Sequence, residues 1–86
     1  MNINELIAIV KSKLETKIVI QGIKIEDKSF LHKKHKGHQE GKFHLKLTIK
    51  SNELTKLSKI DSTKRVYSII DFELKEYIHS IQILLS

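Results

Sequence analysis

The chain has 86 residues, 40% hydrophobic and 30% charged, with a formal net charge of +6 and no cysteine. That length predicts one domain, residues 1–86, whose core is large enough to hold without a staple. The missing thiols exclude a disulfide framework, thiolate catalysis, a zinc finger and any cluster held by the chain's own cysteines.

Asn2 to Glu15 carries Ile3, Leu6, Ile7, Val10 and Leu14 at helical spacing, with Asn2 or Asn4 as N-cap and Glu5 in the first turn. From Lys17 to Glu26, Ile18 and Ile20, then Ile23 and Ile25, alternate around Gln21-Gly22. The phase slips at Gly22, which predicts one long strand with a bulge or bend there. Asp27 to Lys42 is polar, contains the other two glycines and reads as a loop. Phe43 to Lys50 is the cleanest strand: Phe43, Leu45, Leu47 and Ile49 point one way, His44, Lys46, Thr48 and Lys50 the other. Two neighbouring strands joined by a long loop predict an antiparallel hairpin.

From Leu54 the period returns to that of a helix, and Ser58 with Asp61 has the spacing of a capping pair. Ile60, Val66, Ile69, Ile70, Leu74 and Ile78 form its apolar stripe, and Ile70-Asp71-Phe72 predicts a break into two helices. Ser80 to Leu85 alternates Ile81, Ile83 and Leu85 as a closing strand. The order α-β-β-α-α-β makes an α+β fold, a three-stranded sheet with helices packed on one face. No apolar run approaches a membrane span, and Met1-Asn-Ile-Asn-Glu lacks the layout of a secretory signal, so a cytoplasmic protein is expected.

The chemistry concentrates in histidine. Four of the five histidines, His32, His35, His38 and His44, fall in one short polar tract, and His79 stands alone near the C-terminus. Imidazole is the commonest metal ligand, so all five are candidates, with a solvated Lys/His/Gly connector as the alternative for the tract. His44 occupies the polar face of a strand, where a solvated or hydrogen-bonded role is favoured over ligation. His79, between Ile78 and Ile81, has the alternative of a core histidine with satisfied nitrogens. The positive charge admits a second function. Lys33, Lys34, Lys36, Lys64 and Arg65 are available for phosphates. Fifteen of the sixteen basic residues are Lys, however, which leaves Arg65 as the sole guanidinium fork. Gly37 and Gly41 are too far apart for a Gly-x-x-Gly nucleic-acid clamp. No nucleophile–base pair or carboxylate dyad stands out, so no enzyme is expected.

Several short patterns, weak singly, occur in order. Asp27-Lys-Ser29-Phe-Leu-His32 opens the polar tract, and Lys42-Phe-His44-Leu-Lys-Leu begins the second strand. Then come Ser51-x-x-Leu54, Arg65-Val66-Tyr67, Glu73-Leu74 and Ile78-His79-Ser80-Ile81. Together they resemble the BolA-like family over nearly the whole chain, the last tetrapeptide standing in place of Val-His-Ala-Leu. Ser62-Thr63-Lys64 departs from the Arg-His-Arg that normally opens the family's main helix.

The resemblance implies a fold similar to a class II KH domain. It also implies an adaptor that is monomeric alone and partners a monothiol glutaredoxin in iron–sulfur trafficking or iron and redox regulation. The shared group is a bridging 2Fe–2S cluster, present only in the complex. Carried over by position, this side's ligands are His32 and His79, with His35, His38 and His44 as auxiliaries. The partner supplies its active-site cysteine, and glutathione the fourth thiolate. A DNA-binding transcriptional regulator is the alternative function. Independently of any family, imidazole in place of thiolate raises a cluster's reduction potential and makes ligation weaken as pH falls through the histidine range.

Overall fold

A computed structural model describes residues 1–29 and 42–86. The candidate ligands His32, His35 and His38, and the candidate phosphate contacts Lys33, Lys34 and Lys36, lie outside the described residues.

Asn2 starts the first helix, α1 (Ile3–Lys17). Its Oδ1 accepts from the Glu5 amide at 2.8 Å and its Nδ2 donates to Glu5 Oε1 at 3.0 Å. The first bond satisfies one of the backbone donors that the first helical turn leaves without partners, and the second ties the two side chains together. Leu6, Val10 and Leu14 line the buried face, and the helix ends where Ile18 turns extended. Strand β1 (Gly22–Asp27) then pairs antiparallel with β2 (Phe43–Lys50), from Gly22 opposite Lys50 to Asp27 opposite Leu45.

β2 is followed by three helices, α2 (Asn52–Thr55), α3 (Lys59–Ile69) and α4 (Asp71–Glu76), before β3 (Ile78–Leu85) closes the chain. β3 runs parallel to β2, giving the order β1-β2-β3. Parallel neighbours need a long crossover, and α2 to α4 provide it. Ser58 Oγ accepts from the Asp61 amide at 3.1 Å, the cap expected from the sequence, and the helix breaks at Ile70 as expected.

One core joins the layers. Leu45, Leu47 and Ile49 from the central strand meet Leu6, Val10 and Leu14 from α1, Leu54 from α2 and Val66 and Ile70 from the crossover. Ile23 and Ile25 extend it on one side, Ile81, Ile83 and Leu85 on the other. Each fully buried Leu or Ile contributes about 1.5–3 kcal/mol of hydrophobic stabilisation. The opposite sheet face carries Lys24, Glu26, Lys46, Thr48 and Gln82 and has no helix over it among the described residues. The fold class is therefore as expected: α+β, with the helices on one face of a three-stranded sheet. Among the described residues, no helix is long and apolar enough to cross a membrane.

Besides a closing strand that starts at Ile78 rather than Ser80, and an Ile60 that is 67% exposed rather than part of the buried apolar stripe, two details differ from the sequence reading. The first strand begins at Gly22, not Lys17, because α1 runs to Lys17 and β2 ends at Lys50. Beyond Lys50 the ladder offers the incoming chain one more bond, Gln21 N–H to Lys50 C=O at 2.8 Å, and no further strand partner among the described residues. The pairing of β1 with β2 is also continuous through Gly22, so of the bulge or bend expected there the bulge is absent, and the bend falls at the preceding Gln21. The second detail is α2, capped by Ser51 Oγ accepting from the Leu54 amide at 3.2 Å. Ser51 Oγ donates in turn to Val19 C=O at 2.8 Å, and Ser51 N–H to Ser86 C=O at 2.9 Å. One serine thus ties the ends of β2 and β3 to the segment leaving α1.

Candidate metal centre

The ladder irregularity occurs at the start of β3. Phe43 pairs with Ile78, but the next residue, His44, pairs with Ser80. His79 is the extra residue of a bulge. Without it Ile78 and Ile81, three apart, would face opposite sides of the sheet, yet Ile78 is buried and Ile81 packs on the same core. The bulge resets the phase, and His79 is left exposed at the reset point.

His44 comes to the same place from β2. Their rings meet edge to face, with centroids 4.9 Å apart and planes at 62°. His44 is only 5% exposed although it lies on the polar side of its strand. Its Nδ1 lies 2.5 Å from Ser80 Oγ, across the ladder. The solvated or hydrogen-bonded role that the sequence favoured over ligation takes its hydrogen-bonded form here. The core-histidine alternative for His79 does not hold, because its side chain is at the surface.

The polar tract starts beside this pair. His44 N–H donates to Ser29 Oγ at 3.0 Å, and Lys28 N–H donates to His44 C=O at 2.7 Å. Ser29 N–H donates to Asp27 Oδ1 at 2.9 Å, an Asx turn that bends the chain out of β1. The Asp27-x-Ser29 spacing is a signal by which that turn could have been found. Ser80 as a partner of His44 had no sequence signal, because it depends on a cross-strand register reset by the bulge.

Two imidazoles, one exposed and one oriented by a hydroxyl, form the kind of donor set whose outer hydrogen bonds fix ring orientation for a metal. Two donors cannot enclose an ion by themselves. Among the described residues there is no group of three or more His, Cys, Asp or Glu able to hold one. Further ligands would have to come from outside these residues.

Lys28 and Lys46 line one surface hollow with His44 and Ser80. Lys24 Nζ and Lys28 Nζ stand 3.5 and 3.7 Å from Glu26 Oε1. Desolvation pushes the Glu26 carboxyl up, but Lys24, Lys28 and Lys46 outweigh it and hold it below the usual range. Glu26 should therefore titrate below an ordinary glutamate in a carbon-detected NMR titration. Its small contribution to stability should be present above the unfolded-state value and be lost as pH falls through the folded one. An ordinary midpoint would show that the lysines do not act on it. The two nucleic-acid candidates within the described residues diverge. Lys64 is exposed. Arg65 is engaged, its Nη2 donating to the C-terminal carbonyl of α1, Lys17 C=O, at 3.3 Å and lying 3.1 Å from Glu53 Oε2.

Comparison with known proteins agrees with this architecture. The family model described as BolA-like protein matches residues 14–86. Among solved structures, the BolA domain of SufE1 from Arabidopsis thaliana is 25% identical, with a TM-score of 0.77, over 92% of this chain and 87% of that one. BolA1 from Arabidopsis thaliana is 22% identical, with a TM-score of 0.76, over 92% and 87%. A Bol-like protein from Babesia bovis is 20% identical, with a TM-score of 0.70, over 91% and 79%. No curated protein matches the sequence.

Proposed function

Since the chain belongs to the BolA-like protein family, we propose that it is an adaptor that binds a monothiol glutaredoxin and shares a bridging 2Fe–2S cluster with it. His79 and His32 are this chain's ligands in that reading. The observation that carries it is His79, presented at the surface by a β-bulge and backed by the ring of His44. A ligand to a shared group has to be reachable by a second protein, and this imidazole is.

His32 follows Ser29 by three residues, a length of chain that spans at most about 11 Å. Ser29 is itself hydrogen-bonded to the His44 backbone, so the chain enters the tract from beside the histidine pair. The donor set suits the group: two imidazoles without a cysteine leave half of a cluster's ligands to a thiolate-bearing partner. When bound, the cluster supplies one-electron redox chemistry, at a potential raised by imidazole ligation. This chain's residues bind and orient. Ser80 holds His44, His44 backs the His79 ring, and Lys28 and Lys46 give the surroundings a positive field suited to an anionic assembly. The nucleic-acid alternative is weakened, because its one guanidinium, Arg65, is committed to Lys17 and Glu53.

Co-expression with the host's monothiol glutaredoxin should yield a coloured heterodimer whose visible spectrum differs from that of the glutaredoxin homodimer. Colourless co-purification, or a spectrum identical to the homodimer's, would refute cluster sharing.

A further inference from the structure

β3 has a second feature beyond the bulge. Nothing pairs with its outer side among the described residues, since the sheet ends there. Ser86 turns both backbone groups toward β2, donating to Ile49 C=O at 3.0 Å and accepting from Ser51 N–H at 2.9 Å. Two-residue alternation then turns the N–H and C=O of Leu85, Ile83 and Ile81 to the free edge. Exposed strand edges are usually blunted by charge or proline. β1, at the other edge, carries Lys24, Glu26 and Asp27, but Ile78 to Leu85 contains neither a charged residue nor a proline.

An apolar groove of about 400 Å³ runs between this edge and the start of the crossover. Leu54, Ile83 and Leu85 lie along it, and Leu57 and Leu84, 40% and 43% exposed, form its rim. Ile60, in the first turn of α3, is also exposed, at 67%. Lys59 lines the groove, no carboxylate does, and Lys56 stands in the adjoining turn. Among the described residues neither lysine forms an ion pair.

We propose that this groove is a docking site for an extended, acidic-flanked segment of another protein, added to β3 as a fourth strand. A groove between an edge strand and a helix is the geometry of strand-addition recognition: main-chain bonds give affinity, and alternate side chains enter the groove. Charge selects the occupant. An acidic flank complements Lys56 and Lys59, whereas a second copy of this chain would bring a net +6 and the same two lysines against their equivalents. The site is separate from the histidine pair. From His79 to Leu84 is five residues of strand, about 16 Å. An adaptor with His79 at one end of β3 and the groove at the other can hold two partners at once. The proposal stands whether or not His79 is a ligand.

The test titrates the isotope-labelled chain with an acetylated peptide, Asp-Glu-Asp-Val-Thr-Val-Thr-Val, followed by amide NMR. Saturable shifts centred on Ile81, Ile83 and Leu85 are expected. Lys59→Glu should weaken binding about fivefold, the upper range for one exposed ion pair, while Lys11→Glu on α1 leaves it unchanged. N-methylation of the peptide's valines should abolish binding, because it removes the main-chain donors. No saturable binding at millimolar peptide, shifts centred on His44 and His79, or indifference to Lys59→Glu would each overturn the proposal. So would sedimentation showing that the chain alone dimerises through β3.

Discussion

In the complex co-purified with a monothiol glutaredoxin, His79→Ala should remove the visible band that distinguishes the heterodimer. His32→Ala should weaken the band and be partly offset by His35, three residues on. The difference follows from how each residue is held. His79 sits at a bulge fixed by pairing on both sides of it, Phe43 with Ile78 and His44 with Ser80, and has no neighbouring histidine in its own strand. The tract offers His35 and His38 as substitutes for His32. Losing an outer-shell partner typically costs 10–100-fold, about 1.4–2.7 kcal/mol in affinity, and losing a direct ligand costs more. Far-UV circular dichroism of the uncomplexed variants should be unchanged, since the His79 side chain is exposed and outside the core. Acidification through the imidazole range should bleach the heterodimer before a thiolate-only homodimer, because only neutral imidazole ligates. If both variants keep the parental spectrum and cluster lifetime, the ligand assignment is wrong.

What the sequence revealed and what it hid divide along a physical line. Features set by near neighbours were legible: the Ser58 cap, a first-helix cap at Asn2 or Asn4, the alternation of Phe43 to Lys50, the break at Ile70. Features set by distant partners were not. Ile18 and Ile20 have the apolar alternation of a strand, and Ile18 is extended and buried, yet the ladder opposite them has run out. Alternation reports which side is apolar, not whether a neighbouring strand is present. α2 spans four residues, too few for a helical period to register, and depends on Ser51. At the candidate site, the family resemblance pointed to His79, while the residues themselves favoured a solvated or hydrogen-bonded role for His44. Their meeting, the burial of His44 and the role of Ser80 all come from the single extra residue in β3.

Lys13→Met should be among the most damaging single changes outside the core. Lys13 on α1 and Glu73 on α4 join their helices through Nζ and Oε2 at 2.7 Å. The carboxylate side chain is 4% exposed and its lysine partner 43%. Glu73 Oε1 is buried with no donor among the described residues, so the carboxylate depends heavily on that one ammonium. Removing Lys13 leaves a desolvated charge uncompensated. Breaking a buried pair in this way costs about 3–5 kcal/mol, and the exposure of Lys13 sets the expectation at the low end, about 3 kcal/mol. An 86-residue domain has about 4–13 kcal/mol in total, so urea unfolding should show a large loss of midpoint. The double variant Lys13→Met with Glu73→Met should recover most of that loss, because two apolar side chains replace the pair without a stranded charge. The surroundings permit it: Phe72 lies with its ring centroid 5.9 Å from Lys13 Nζ and can pack against a methionine. A double variant no more stable than Lys13→Met alone would mean that the carboxylate does something other than answer the lysine. The cost of the single change would then come from lost packing between α1 and α4 rather than from an unpaired charge.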